Sequence, residues 1–344
     1  MADLISSLPN EIICYILYFL PFQQVVATSV LSKRWTHLWR SVPSLDFDTN
    51  KEDFYKNDYD KRRYYRWVRS FLVRRGDQPL YRFRLRCYHH MDSASIDQSL
   101  TFKSWIETTL SENSRVQIID LFCYWENIVI PSVVFSFNTL VVLKLTFTRV
   151  EDISFVDLSF LKILHLEHTI FPIEDDPSQI LSGCPNLEDL KVRALTSKVK
   201  GKFIRLPKLV RAMIDNLLLS LETFKEVEVL IFDWSFGLQL SGVLYVNFDF
   251  HNLVQLEFNV YADWHLVFNV LNHCPKLQSF GMSKYKNHYE DEDVWPYPQT
   301  TMKFWILEQE IEINDMEREL SSSVKKSVTC TLSFQPANGL HFFT

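Results

Sequence analysis

Residues 180–190 read ILSGCPNLEDL, and residues 270–280 read VLNHCPKLQSF. Aligned on the shared Cys-Pro, the two stretches put apolar residues in one frame: Leu187, Leu190 and Val192 in the first, Leu277, Phe280 and Met282 in the second. The frame is apolar-x-x-apolar-x-apolar. Outward from these copies it recurs as Val116/Ile119/Leu121, Leu140/Leu143/Leu145, Leu161/Leu164/Leu166, Leu209/Ala212/Ile214, Val227/Leu230/Phe232 and Leu253/Leu256/Phe258. First positions of successive copies lie 24, 21, 26, 22, 18, 26 and 24 residues apart. One such unit cannot bury its apolar ridge alone, and stacking in-phase copies solves that problem.

Steps of this size fall within the ~20–29 residues of a leucine-rich repeat. The expected fold is α/β: an irregular leucine-rich-repeat solenoid with a parallel concave sheet, one strand per copy. The uneven steps imply convex segments that are helical in some copies and loops in others. Cys184 and Cys274 are repeat markers on this reading. Strand alternation points the template residues inward and the residues between and after them outward. One outward row is Asp120, Lys144, His165, Lys191, Met213, Ile231, Glu257 and Gly281. A second includes Glu167, Arg193 and Asp215. Lys144, His165, Lys191 and Arg193 make the middle locally basic and are the candidate target-binding residues. A merely solvated sheet face accounts for any one of them as well.

The first forty residues have a different period. Pro9 falls where a first helical turn begins, a position that needs no N–H. Glu11 follows in that turn, favourable against the helix dipole. Ile12, Ile13, Ile16, Leu17 and Leu20 then recur at helical spacing, and Pro21 stops the helix. Val25, Val26 and Ala27 form a second short apolar segment. Ser29 is placed to cap a third helix carrying Val30, Leu31, Trp35, Leu38 and Trp39. Three helices this short cannot bury so much apolar surface among themselves. The surplus fits a docking face; patterning alone is equally served by a helical cap on the next domain.

The order of residues adds a resemblance. Leu8-Pro9-x-Glu11-Ile12-Ile13, Ile16-Leu17, Leu20-Pro21 and the closing SVLSKRWTHLW at 29–39 closely resemble the F-box in its plant version. The resemblance implies contact of Leu8, Pro9, Ile12, Ile16 and Leu20, with Val30, Leu31 and Trp35, to a Skp-family adaptor, and through it to a cullin-RING ligase. The run WVRSFLVRRGDQPLYRFRLRC (67–87) with Trp105-Ile106, DVWPYPQ (293–299) and SVTCTLSF (327–334) are similar to the plant F-box/FBD/LRR family. The stretch between the last two is shorter than the family pattern, so the tail is expected to be a truncated or divergent FBD. The domain reading is an F-box at 4–45, a charged linker at 46–60, the solenoid at 61–285 with its first 55 residues as an N-terminal cap region, and an FBD-like tail at 286–344.

Composition narrows the function classes. The chain has 344 residues, 47% of them apolar, and a net charge of -6. That supports a large core and argues against a dedicated nucleic-acid binder. The arginine-rich stretch from Lys61 to Arg86 reads as the wet side of a helix bearing Trp67, Phe71 and Leu72, then of a strand in which Arg82, Arg84 and Arg86 alternate with Phe83 and Leu85. The six cysteines are scattered, with no paired spacing for zinc or a disulfide framework. The first basic residue is Lys33, unlike a secretory signal, and Pro131 interrupts the longest apolar run, Ile128 to Phe137. His165-x-x-His168 lacks a third ligand at matching spacing, and His89-His90 is likewise unsupported. No nucleophile motif occurs. The expectation is a non-catalytic protein without metal or cofactor, nuclear or cytoplasmic, binding neither nucleic acid nor membrane. Its function would be substrate recognition in a Skp–cullin–F-box ubiquitin ligase. The alternative is a leucine-rich-repeat scaffold whose F-box is degenerate and recruits no cullin.

Overall fold

The computed structural model describes residues 5–301 except 6, 21, 49–57, 77, 88–95, 110–114, 125–127, 154, 173–174, 196–202, 216–218, 234–245, 260–268 and 285–299. Pro21, His89-His90 and, save Thr300 and Thr301, the FBD-like tail lie outside the described residues. The chain divides into two compact units: Met1–Leu187 with Leu195–Lys198, and Glu188–Ala194 with Val199–Thr344.

The first unit opens with helix α1, Asn10–Tyr18. Pro9 stands one place earlier than the sequence implies, as the N-cap, where its carbonyl accepts the first helical bond from Ile13 N–H at 3.1 Å. Helix α2 is Phe22–Ala27. The third helix is not continuous. A 3-10 turn at Thr28–Val30 leads through a bend to a four-residue α3, Trp35–Leu38, and a second 3-10 turn at Trp39–Ser41. Ser29 caps none of these. Leu31, Trp35 and Leu38 would share a stripe on one unbroken helix; the bend lets Leu31 face out while Trp35 and Leu38 enter the core. That core is Ile13, Leu17, Val25, Trp35, Leu38 and Val42, flanked by Leu8, Cys14, Leu20 and Trp39.

Strand β1, Ser44–Asp48, follows the helical cluster at once, so Asp46 and Asp48, at the start of the linker expected at 46–60, belong to the sheet; 49–57 lie outside the described residues. Helix α4, Asp58–Arg75, then leads to strand β2, Arg82–Cys87. Helix α5, Ile96–Thr109, precedes β3, Ile118–Cys123. Beyond it lie β4, Ile128–Ile130, β5, Val142–Thr146, β6, Thr148–Val150, β7, Ile163–Glu167, and the short helix α6, Ser178–Ser182. Strands β1, β2, β3, β5 and β7 pair parallel in that order. Leu45, Phe83, Ile119, Leu143 and Leu164 lie in one register row, and Phe47, Leu85, Leu121, Leu145 and Leu166 in the next.

Two template copies therefore precede those found in the sequence: Val42/Leu45/Phe47 and Leu80/Phe83/Leu85, all buried. The inserted helices α4 and α5 stretch their spacing beyond the repeat period, which hid them. Helix α4 buries Val68, Phe71 and Leu72 and leaves Arg66, Arg69 and Arg74 exposed. It ends at Gly76, whose φ of +60° suits a residue without a Cβ. Phe22 of α2 packs edge-on against Phe47 at 4.9 Å and Phe71 at 4.2 Å, and Trp39 lies 4.5 Å from Phe71. Buried Arg75 donates to the carbonyls of Gln78, Val42 and Pro79 at 2.6, 3.1 and 2.6 Å. Burial pushes its guanidinium down to about 10, which leaves it charged at neutral pH.

The second unit pairs β8, Asp189–Arg193, β9, Arg211–Ile214, β10, Val229–Asp233, β11, Gln255–Asn259, and β12, Ser279–Lys284, all parallel. A two-residue β13, Thr300–Thr301, adds antiparallel to β12. Leu190, Ala212, Leu230, Leu256 and Phe280 share a register row, as the sequence template requires. The α/β class, helices first and then one parallel strand per leucine-rich copy, is thus observed. The intervening segments are as irregular as expected: a two-stranded ladder of β4 and β6, helix α6, and 3-10 turns at Ser132–Ser136 and Leu221–Phe224.

The two Cys-Pro copies behave alike. Cys184 and Cys274 thiols donate to the carbonyls four residues back, Ile180 at 3.0 Å and Val270 at 3.1 Å. The residue before each cysteine accepts a backbone bond from the preceding copy, Leu158 N–H to Gly183 at 3.1 Å and Phe250 N–H to His273 at 2.8 Å. At Gly183 the approach is close: a Cβ there would stand 2.5 Å from the Val156 side chain.

Candidate functional site

The N-terminal helices bury one face and leave the other without cover in this chain. On α1, Ile13 and Leu17 enter the core, while Ile12, Tyr15, Ile16 and Phe19 are 47, 65, 45 and 66% exposed. These four sit at i, i+3, i+4 and i+7, which is one helical face. Tyr15 and Phe19 meet edge to face at 5.2 Å, so the face is partly preassembled. Val30 and Leu31, in the turn after α2, are 85 and 64% exposed. Ile5 and Pro9 are exposed beside the start of α1.

The residues singled out in the sequence divide accordingly. Pro9, Ile12, Ile16, Val30 and Leu31 are outward. Leu8 and Leu20 are half-buried against the core of the helical cluster. Trp35 is 5% exposed and part of that core. Tyr15 and Phe19 escaped sequence reasoning. Spacing alone favoured the i, i+4 series Leu8/Ile12/Ile16/Leu20, and only the direction of α1 against its core shows which neighbours face out.

In the strands of the first unit, the outward row reads Asp46, Arg84, Asp120, Lys144 and His165 in register. Arg84 bridges Asp46 and Asp120, each at 3.3 Å, and Arg86 reaches Asp120 at 3.6 Å. Such partly exposed pairs are worth about 0–1 kcal/mol each. They pair Asp46, Arg84, Arg86 and Asp120 with one another, and Lys144 with His165 continues the row. In the second unit, Lys191 and Arg193 lie on β8. Asp215 does not project as expected: it is buried, and its carboxylate accepts the N–H of Ala194, whose φ is +49°. Ile231, expected to face outward, is buried as well, so the sheet is covered on both faces at that position.

Past the strand ends of the first unit a further group comes together. Phe147 and His168 stack at 4.4 Å, 9° from parallel, and Tyr124 and Phe122 meet Phe147 edge-on at 4.8 and 5.7 Å. Phe147 and His168 both adopt left-handed backbone, φ 56° and 49°. His168 thus turns into an aromatic stack while His165 stays on β7. Among the described residues no group of His, Cys, Asp and Glu is arranged to hold a metal ion. Burial pushes the Cys184 and Cys274 thiols up to about 12, with Asp249 adding to the effect at Cys274. No helix among the described residues is long and apolar enough to cross a membrane.

Comparison with known proteins bears on the N-terminal cluster. Residues 5–47 match the model of the F-box domain. The chain carries an F-box. Its matched segment reaches into β1. The chain is similar to an F-box/FBD/LRR-repeat protein of Arabidopsis thaliana, 32% identical over 208 residues, covering 59% of this chain and 44% of the relative. An F-box/LRR-repeat protein of the same plant is 37% identical over 194 residues, covering 55% and 39%. An FBD-associated F-box protein is 31% identical over 189 residues, covering 55% and 40%. The chain spans less than half the length of these relatives. The F-box of this protein, together with strands that follow a leucine-rich repeat, therefore accords with what its relatives are named for.

Proposed function

We propose that this chain is a substrate-recognition subunit of a Skp–cullin–F-box ubiquitin ligase, acting without catalytic groups of its own, in nucleus or cytoplasm. The F-box docks a Skp-family adaptor, and outward residues of the repeat strands hold a target protein. The observation that carries this reading is the uncovered apolar face of α1, Ile12, Tyr15, Ile16 and Phe19, within a matched F-box whose opposite face is fully packed. An exposed apolar helix face of this kind fits a groove on another protein. The ligase then works by effective concentration: a target held on the repeats has its lysines kept near a charged conjugating enzyme.

The test is binding of the purified chain to a Skp-family adaptor by calorimetry, beside the Ile12→Asp/Ile16→Asp variant. Tight binding by the parent and loss in the variant, which would desolvate unpaired carboxylates, is the expected result. No binding by the parent favours the scaffold with a degenerate F-box and sinks this proposal.

A further inference from the structure

We infer that Arg34 is a positioning residue for the docking face: its guanidinium locks the Ile5–Pro9 turn to the start of α1 instead of serving as a ligand for the adaptor. The inference rests on the docking reading above. Arg34 Nε and Nη2 both donate to the Asn10 side-chain oxygen, at 3.0 and 2.7 Å, and Nη2 also donates to the Leu8 carbonyl. These acceptors lie at one end of α1, 24 and 26 residues away in sequence.

Pro9 at the N-cap has no side chain able to accept from the first free N–H groups, so it makes no capping bond of its own. A cation at a helix N-terminus is opposed by the macrodipole, so helix electrostatics do not explain an arginine at this place. Its geometry does. The backbone of Arg34 is fixed from the other side, since Trp35 is sunk in the core and its N–H bonds Ser32 O at 3.0 Å. The preceding turn is closed by Leu8 N–H to Ile5 O at 3.1 Å. The fork therefore transmits the position of the core to the segment bearing Ile5 and Pro9, and links it to the turn bearing Leu31. Holding these outward residues in place before binding removes an ordering cost that a frayed helix start would otherwise impose on the complex.

The experiment uses the full chain and a Skp-family adaptor, with Arg34→Ala, Asn10→Ala, the double variant and Arg34→Lys. Binding is measured by calorimetry at low and high salt, and amide exchange at Ile13 is followed in the free protein. Arg34→Ala and Asn10→Ala should each weaken binding about tenfold, the scale of one charge-assisted hydrogen bond. The double variant should be no weaker than either single one, Arg34→Lys should recover part of the loss, and added salt should leave the ratios unchanged. Exchange at Ile13 should quicken in both single variants. The inference is overturned if Asn10→Ala binds like the parent while Arg34→Ala loses affinity in a salt-dependent way, which marks Arg34 as a direct ligand. It is equally overturned if neither variant changes binding. Should the parent itself not bind the adaptor, the docking reading fails; exchange at Ile13 then decides alone, and unchanged exchange in Arg34→Ala refutes the clamp.

Discussion

At the scale of single residues, the repeat cysteines show how a motif position differs from a reactive one. The Cys184 and Cys274 thiols are buried, bonded to a carbonyl one helical turn back, and held near 12. Since the thiolate is the nucleophile, both should resist alkylation at pH 8 in the native protein and react once it is unfolded, as peptide mass spectrometry would record. The sign of the pH effect on stability follows from the raised values. The contribution is fully present below the unfolded value of 9.0 and is lost as pH rises toward about 12, because only the unfolded thiols ionise in that window. Denaturant midpoints falling between pH 9 and 11 by less in Cys184→Ala than in the parent would show it. Template leucines are simpler. Leu143 and Leu256 are wholly buried in their register rows, so truncating either to Ala should cost about 2–5 kcal/mol in urea unfolding.

Among elements, the join between the F-box and the first strands matters most. Phe22, Trp39, Phe47 and Phe71 form one aromatic knot from α2, the turn after α3, β1 and α4. Arg75, at the end of α4, ties the Val42 carbonyl to the carbonyls of Gln78 and Pro79. Phe71→Ala is expected to lose about 3–5 kcal/mol of stability. Arg75→Ala takes from the buried Val42 carbonyl this charged donor and should lose about 1–3 kcal/mol. Both are read by thermal and urea unfolding, and a spacer-like join would show neither loss. The sequence placed a linker at 46–60 because charged residues crowd there, yet Asp46 and Asp48 are the outward partners of a strand whose other face carries Leu45 and Phe47. The charges of Asp46 and Asp48 are those of the wet side of an edge strand, and the inserted helices α4 and α5, by stretching the spacing between copies beyond the repeat period, concealed that the strand is a repeat.

For the whole molecule, the packed join between the F-box and the strands of the first unit fits the proposed role, in which a target is held at a set distance from a ligase. Recognition itself is proposed for the outward rows: Lys144 and His165 in the first unit, Lys191 and Arg193 in the second. Charge reversal should alter capture without touching the F-box. Lys191→Glu/Arg193→Glu, and separately Lys144→Glu/His165→Glu, are expected to bind the adaptor like the parent and to lose acidic targets from affinity capture with the proteasome blocked. An unchanged target set in both variants, with equal salt sensitivity, would make these positions ordinary surface.

What the sequence alone determined is whatever repeats or follows a short-range period. Parallel strands with Leu143 and Leu164 in register in the first unit, and Leu190, Leu230 and Leu256 in the second, were legible because each copy must bury the same ridge against its neighbour. The F-box was legible because its small core constrains residue order over some forty positions. The tertiary structure alone decided which side of a helix or strand meets solvent. Ile12 and Tyr15 face out while Trp35 turns in, Asp215 folds back onto Ala194, and Ile231 is covered where alternation predicts water. Periodicity assigns residues to faces, but whether a face is covered depends on segments far away in the chain, and that information is not carried by local spacing.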